Sequence, residues 1–465
     1  MSNENQEIKA AGENKMGTMP VNKLLRNMAF PMIASMLVQA LYNIVDSVYV
    51  ARIPDYGDEA LAAVGFAFPI QILLMAVANG TAVGVNALLS RALGEKDEKT
   101  VRKTAHNGIF LYIISAIVFM LIGLFFAEKL IAGQKAQGIT LRYGTDYLSV
   151  VLTFSFGMFA QVLFERLLQS TGRTILSMAT QITGAVINII LDPIMIFGLL
   201  GFPRMDVKGA AVATVIGQIA AGTLAVILNL KKNKDIKFRL KDIRPDAKTI
   251  GKIYSVGIPS IIMQAIGAVM NYAMNTILGM LAPAAVSVFT VYYKLQSLFF
   301  MPTFGINNGM IPIVAYNYGA GKRSRMVKAV KLSMVYAFVA LFLGFLAFEL
   351  IPGTLLNLFR TDSGVLPEIG VPALRIIGTH FLAAWFCIIA GSVFQALGNG
   401  IYSMIVSLAR QLLVLVPVAY ILAKAGGLPL VWWAFPIAEV MSLIVSALFL
   451  LRINRKIIRR VPDNV

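Results

Sequence analysis

Apolar runs of about 20 residues or more follow one another along almost the whole 465-residue chain, separated by short polar segments. At 1.5 Å of rise per residue, about 20 apolar residues cross a hydrocarbon layer of roughly 30 Å as a helix. About twelve such runs are present, so the pattern predicts an all-α membrane protein with about twelve transmembrane helices. Residues 1–19, MSNENQEIKAAGENKMGTM, carry no apolar core ahead of a small-residue cleavage site. No signal peptide is expected there, and residues 1–20 are read as a polar cytoplasmic tail.

The hydrophobic pattern repeats. An offset of about 225 residues places Gln71, Gly80, Gly84 and Gly94 on Gln296, Gly305, Gly309 and Gly319, and both copies then enter a basic loop, RALGEKD and NYGAGKR. An offset of about 226 places LLQSTGRTILSM (167–178) on VFQALGNGIYSM (393–404), with Gln, Gly, Ile, Ser and Met in register. Each copy holds six predicted crossings, an even number, so the halves are parallel repeats about an axis along the membrane normal. The expected organisation is an N-terminal lobe (21–230), a basic cytoplasmic linker (231–250), a C-terminal lobe (251–455) and a cytoplasmic tail (456–465), with a cavity between two six-helix lobes.

Composition agrees with immersion in lipid: 58% of residues are hydrophobic, 14% are charged, and mean hydropathy is +0.75. The net charge of +18 invites a nucleic-acid reading, but the position of the charge excludes it. The bases cluster in alternate loops: Arg91 to Lys103, Lys231 to Lys248 (including Arg239 and Lys241), Lys322 to Lys328, and Arg452 to Arg460. The positive-inside rule makes these loops and both termini cytoplasmic in a multi-pass plasma-membrane protein, with membrane lipid as its surroundings. Cys387, the single cysteine, excludes an intrachain disulfide and a cysteine metal cluster.

Against this background a few polar residues stand out. Asp46 and Asp192 lie inside apolar runs of the first half, and the second half does not repeat them. A carboxylate at bilayer depth costs roughly 2.5–3.5 kcal/mol on insertion scales, so it is expected to face a cavity and bind something. Gln39, Tyr42, Asn43 and Asp46 follow an i, i+3, i+4, i+7 spacing that forms one helical stripe. Asn188 and Asp192 are one turn apart, and Pro193 cannot donate to the carbonyl of Ile189. An acid, an amide oxygen and a bare carbonyl suit a hard cation, so a sodium ion at Asp46, Asn188 and Asp192 is one expectation. Two carboxylates away from water oppose each other's charge, so a proton suits the pair as well. Arg410 and Glu439 are expected to form a structural ion pair, since paired charges need no ligand. Glu165 is a candidate for attracting cations. His380 is either a protonatable residue facing the cavity or, as lone histidines near helix ends more often are, a hydrogen-bonded structural residue, and His106 is read as interfacial.

Pro69, Pro193, Pro302, Pro312, Pro417 and Pro436 lie inside apolar runs and are expected to kink their helices. Methionines and aromatics such as Met28, Met36, Phe154, Met263, Tyr272, Met274 and Phe289 suit a broad, deformable cavity, although core and lipid contacts account for them equally well. No nucleotide motif is present. GAGK (319–322) has Tyr316 where a P-loop needs its first glycine and Arg323 in place of Ser or Thr. The chain shows no HExxH, GxSxG or Ser–His–Asp arrangement, so neither an enzyme nor a cofactor is expected.

The stretches PMIASMLVQALYNIVDSVYVARI (31–53), NIILDP (188–193), FGINNGMIPIVAYNYGAGK (304–322) and PIAE (436–439) resemble the multidrug and toxic compound extrusion (MATE) transporters over residues 20–455. The resemblance implies alternating access and export of small organic cations, by a monomer, in exchange for sodium or protons. It also implies an ion site formed by Asp46, Asn188, Asp192 and a sixth-helix threonine, Thr214, with a fourth-helix tyrosine, Tyr147, and with Gln39 and Tyr42 on the cavity, which Asn43 joins as part of their stripe. The chain departs from relatives that carry acids in the seventh and tenth helices. The seventh helix here offers Gln264, Asn271, Tyr272 and Asn275, of which Asn271 is the cavity candidate. A flippase for lipid-linked precursors is the alternative, and it predicts a cationic cavity for pyrophosphate where this one leans anionic. A channel or a non-transporting scaffold is a third class.

Overall fold

Among the described residues, regular structure is helical throughout, apart from one isolated antiparallel bridge between Lys322 and Asp463. The structure is a computed structural model and describes residues 14–54, 56–134, 136–238, 243–357 and 365–463. The basic positions Arg239 and Lys241 lie outside the described residues.

The spans follow the apolar runs. In the first half they are α1 (Val21–Ala51), α2 (Gly57–Gly94), α3 (Glu98–Ala132), α4 (Gly138–Thr153 continuing as Phe156–Ser170), α5 (Thr174–Phe197) and α6 (Asp206–Lys232). The second half has α7 (Ala247–Leu281), α8 (Pro283–Gly319), α9 (Arg323–Leu350), α10 (Val365–Gly378 continuing as Phe381–Ala396), α11 (Gly400–Gly426) and α12 (Ala434–Lys456). Ten of these helices are long and apolar enough to cross a membrane alone; α4 and α10 are bent pairs, by 47° and 50°, and bring the number to twelve when each is one span. Pro69, Pro193, Pro302 and Pro312 sit inside continuous helices. Neighbouring helices and local adjustment make such prolines tolerable at membrane depth.

The chain forms two compact units whose borders fall inside helices. One is Ala34–Gly257; the other joins the residues up to Ile33 with those from Ile258 onward. The first half of α1 therefore packs with the C-terminal helices, and the first turns of α7 pack with the N-terminal ones. Pro31 and Pro259, both inside their helices, stand beside the two borders. Neither can donate an amide to the carbonyl four residues back, which leaves each helix a weak point there.

The repeated glycines explain how these segments dock. A Cβ on Gly84 would lie 2.1 Å from the carbonyl oxygen of Ile253 in α7. In the other unit, a Cβ on Gly305 would lie 2.6 Å from the Ile33 side chain, and one on Gly309 2.8 Å from Ala29 in α1. Lipid tails are as apolar as the helix surfaces, so association rests on close backbone approach, which small residues allow.

Polar contacts pin the same segments at the helix ends. Asp246 precedes α7 and accepts from Thr249 Oγ1 (2.7 Å) and Lys103 Nζ (3.0 Å), while its amide donates to Asn107 Oδ1 (2.8 Å). The Thr249 bond, followed by Lys103, holds its carboxyl below the usual carboxylate range. On the other unit, the Asn317 and Arg325 side chains donate to the Met16 carbonyl, and Lys322 to that of Gly17.

Each unit has its own core. In the N-terminal one Leu89, Leu148, Phe159 and Leu167 are buried around Tyr112 and Tyr147. The C-terminal core is aromatic, with Phe289, Tyr292, Phe348, Phe381 and Trp432 almost fully buried. Met28, Met274 and Phe289, for which the sequence leaves cavity and core readings equally open, are buried. His106 is only 1% exposed, and its Nδ1 bonds the Arg102 carbonyl at 2.7 Å near the start of α3.

Gly84→Ala forces overpacking of the kind that costs about 1–3 kcal/mol. The expected outcome is a lower thermal unfolding midpoint in detergent. Gly251→Ala, with nothing within 4 Å of the added carbon, should leave the midpoint unchanged or raise it. Equal stability of the two variants would contradict the docking argument.

Candidate functional site

The small residues of α5 and α6 set the N-terminal site. A Cβ on Gly217 would lie 2.7 Å from the Gly184 carbonyl and 3.3 Å from Asn188 Cβ, so the two helices run in close contact beside Asn188. Thr214, one turn before Gly217, meets Asn188 there: Asn188 Nδ2 donates to Thr214 Oγ1 at 3.3 Å and to Asp192 Oδ1 at 3.1 Å. Asn188 and Asp192 are buried, at 2% and 0% exposure.

α1 brings Asp46 to the same place. The carboxyl groups of Asp46 and Asp192 lie within hydrogen-bonding reach of each other. Asp46 Oδ1, Asp192 Oδ2 and Asn188 Oδ1 are buried and have no hydrogen-bond donor. Two acids in contact are a stable arrangement only with a proton or a cation between them. An all-oxygen donor set of this kind suits a hard ion. Among the described residues no group of three His, Cys, Asp or Glu side chains is placed to hold a metal ion.

Tyr42 and Tyr147 stand near both acids. Gln39 hydrogen-bonds Tyr42, and Gln71 Nε2 donates to the Tyr147 hydroxyl at 3.1 Å. Asn43 lies on the exposed side of α1. Gln71 is a site neighbour that sequence reasoning did not single out, although its place among the repeat-matched residues was a signal for it.

Glu165 is placed differently. It is 5% exposed, and three neutral donors cap it: Gln161 Nε2 (3.1 Å) and Thr180 Oγ1 (3.0 Å) on Oε1, and Gln181 Nε2 (2.8 Å) on Oε2. Asn271 belongs to the C-terminal unit, where its Nδ2 donates to the Gly267 carbonyl of its own helix at 3.0 Å. In that unit Arg410 Nη1 donates to Glu439 Oε2 at 3.1 Å. Arg410 sits on a π-helical stretch, Ala409–Leu415, inside α11. His380 joins the pair, with Nδ1 3.6 Å from Glu439 Oε2 and Nε2 3.0 Å from the Tyr292 hydroxyl. The partners of His380 lie in α8 and α12, far away in the chain, so the sequence does not show them.

A duplicated frame of ten to twelve membrane helices, with polar groups buried inside each half, is the frame of a polytopic membrane transporter. The MatE family model matches residues 31–194 and again 259–421, once for each half. The chain belongs to the MATE family of membrane transporters. Both matches begin at the prolines that stand beside the borders of the compact units.

The multidrug export protein MepA of Staphylococcus haemolyticus (strain JCSC1435) is 28% identical over 421 residues, 90% of each chain. That of Staphylococcus aureus (strain MRSA252) is 26% identical over 437 residues, 93% of this chain and 94% of its own. A solved outward-facing multidrug resistance MATE family transporter of the MOP superfamily superposes with TM-score 0.88 at 25% identity, covering 96% of this chain and 98% of that one. A MATE structure in a straight conformation superposes with TM-score 0.89 at 24% identity and shows the shared fold.

Glu165→Ala removes the common acceptor of three donors, and each stranded donor costs about 1–3 kcal/mol. The expected outcome is a lower unfolding midpoint with affinity for tetraphenylphosphonium unchanged, as read by calorimetry on the purified protein. An unchanged midpoint with weakened binding would instead make Glu165 a cation anchor.

Proposed function

We propose that this protein exports organic cations and cationic amphipathic drugs across the plasma membrane, both termini lying in the cytoplasm, by alternating access coupled to inward movement of sodium or protons. The observation that carries this reading is the contact between Asp46 and Asp192, whose outer oxygens are buried without donors. In this mechanism the coupling ion occupies the acid pair together with Asn188, and Thr214 steadies the Asn188 amide. Loading removes one negative charge from the site, which weakens its hold on a cationic substrate. Unloading restores that charge. One positive charge moving inward through 100 mV releases about 2.3 kcal/mol, which one charge moving outward on the substrate consumes, so the potential assists export only when more charge enters than leaves. Tyr42, Gln39 and Asn43 extend the same surface and suit aromatic cations, which bind ring faces and neutral polar groups, whereas Tyr147, 4% exposed, belongs to the core.

The names of the staphylococcal relatives, as multidrug export proteins, support the substrate class. Proteoliposomes loaded with ethidium, with sodium and proton gradients imposed separately, test the proposal. Wild type should show drug movement driven by one of the gradients. Asp46→Asn and Asp192→Asn should each reduce that movement at least tenfold while the protein stays folded. Intact gradient-driven transport in both variants would sink the coupling role of the pair.

A further inference from the structure

The segment after α12 ties the ends of two helices together. Asp463 Oδ1 accepts the Ser324 amide at 2.8 Å, and the Pro462 carbonyl accepts the Arg323 amide at 3.3 Å. Arg323 Nη1 donates to the Arg459 carbonyl at 3.3 Å. Arg323 and Ser324 open α9, and Arg459 lies just past α12, so the start of one helix is fastened to the end of the other.

Each helix leads away from this junction with an exposed stripe. On α9 it runs through Lys328 and Lys331 to Val335 and Val339; on α12 it runs from Arg459 and Arg455 to Leu451 and Leu448. The steps are three or four residues, so each set shares one helix face. Both stripes therefore read alike from the junction, two bases followed by aliphatic side chains. On helices that cross a membrane, an exposed aliphatic face meets lipid chains. The bases then stand at headgroup depth, where long basic side chains near helix ends reach the interface.

These bases have no carboxylate of their own. Among the described residues Lys328, Lys331, Arg455 and Arg459 form no ion pair. Asp463 is engaged by Ser324, whose backbone and side-chain hydrogen bonds hold its carboxyl below the usual carboxylate range. The other copy of the repeat is built differently. The offset of 225 residues sets Asp97, Glu98 and Lys103 on Lys322, Arg323 and Lys328. Asp97 caps its helix by accepting the Thr100 amide at 3.0 Å, Glu98 lies 3.3 Å from Lys237, and Lys103 lies 3.0 Å from Asp246. Carboxylates of the chain itself thus meet bases in the N-terminal copy, and the C-terminal stripes carry none. A helix C-terminus favours cations, which accounts in part for Arg455; no such preference acts on Lys328 and Lys331, near the start of theirs.

We propose that the α9–α12 junction is a phospholipid headgroup site, in which Lys328, Lys331, Arg455 and Arg459 bind an anionic phospholipid whose acyl chains follow the two aliphatic stripes. Four cations divided between two helices match two phosphates better than one, so a diphosphate lipid of the cardiolipin type is preferred. The stripes select a lipid over a soluble anion, which gains nothing from them. The site lies outside the proposed transport cycle and makes no use of Asp46 or Asp192.

Native mass spectrometry of the full-length protein in mixed micelles, titrated with cardiolipin, phosphatidylglycerol or inorganic pyrophosphate, tests the assignment. Wild type should bind cardiolipin more tightly than phosphatidylglycerol, and excess pyrophosphate should not displace it. Lys328→Gln/Lys331→Gln and Arg455→Gln/Arg459→Gln should each weaken cardiolipin binding about tenfold or more. Lys231→Gln/Lys232→Gln, which removes the same charge from exposed positions of the N-terminal unit, should weaken it less than about twofold. All six side chains are exposed, so unfolding midpoints without added lipid should match wild type, which separates lost binding from lost fold. Unchanged cardiolipin affinity in both junction variants, or an equal loss in the N-terminal control, overturns the site. Displacement by pyrophosphate, or phosphatidylglycerol binding as tight as cardiolipin binding, overturns the ligand assigned to it.

Discussion

Hydrocarbon offers no hydrogen bonds, and every polar group carried into it has to find its partner within the protein. The helical architecture is the backbone's answer to that constraint, and the side chains answer it in the same terms. Glu165 collects three neutral donors. Arg410 and Glu439 neutralise each other, and Glu439 also meets His380. Where the answer is incomplete, the missing partner becomes informative. The oxygens of Asp46, Asp192 and Asn188 that have no donor are clustered in the N-terminal unit, where a buried acceptor without a donor is costly.

The same constraint sets how helices associate. Since burying apolar surface gains little when the alternative is lipid, helices hold together where backbones come close. Gly84 against Ile253 and Gly309 against Ala29 are two copies of one solution, and they explain why the internal repeat preserves glycines. Gly217 against Gly184 does the same within the N-terminal unit and, one turn away, sets Thr214 against Asn188. Pro31 and Pro259, beside the points where α1 and α7 change units, remove a backbone hydrogen bond from helices already held at both ends by other contacts.

The two halves share a frame and diverge in chemistry. In the N-terminal half the buried polar cluster is acidic and under-bonded. In the C-terminal half an arginine balances the buried acid and a histidine stands beside them. Duplication of a fold preserves packing positions, mainly small residues and turns, while side chains lining an interior are free to change without disturbing the helix contacts. Function on a shared fold therefore lies in the site rather than in the frame.

The sequence by itself determined the helices, the duplication and the residues whose cost in lipid demands an explanation. Those properties depend on the length of apolar runs, on charge between them and on spacing within a single helix, all of which are local. Asn188 and Asp192 share a face because 3.6 residues make a turn, and that was legible. The tertiary structure decided that Asp46 meets Asp192, that three donors cap Glu165, and that His380 joins Arg410 and Glu439. It also decided that α1 and α7 divide between units. The rotation and depth of one helix against another are set by small residues a turn or more away from the polar groups they align, so which of those groups meet is decided only when the helices pack.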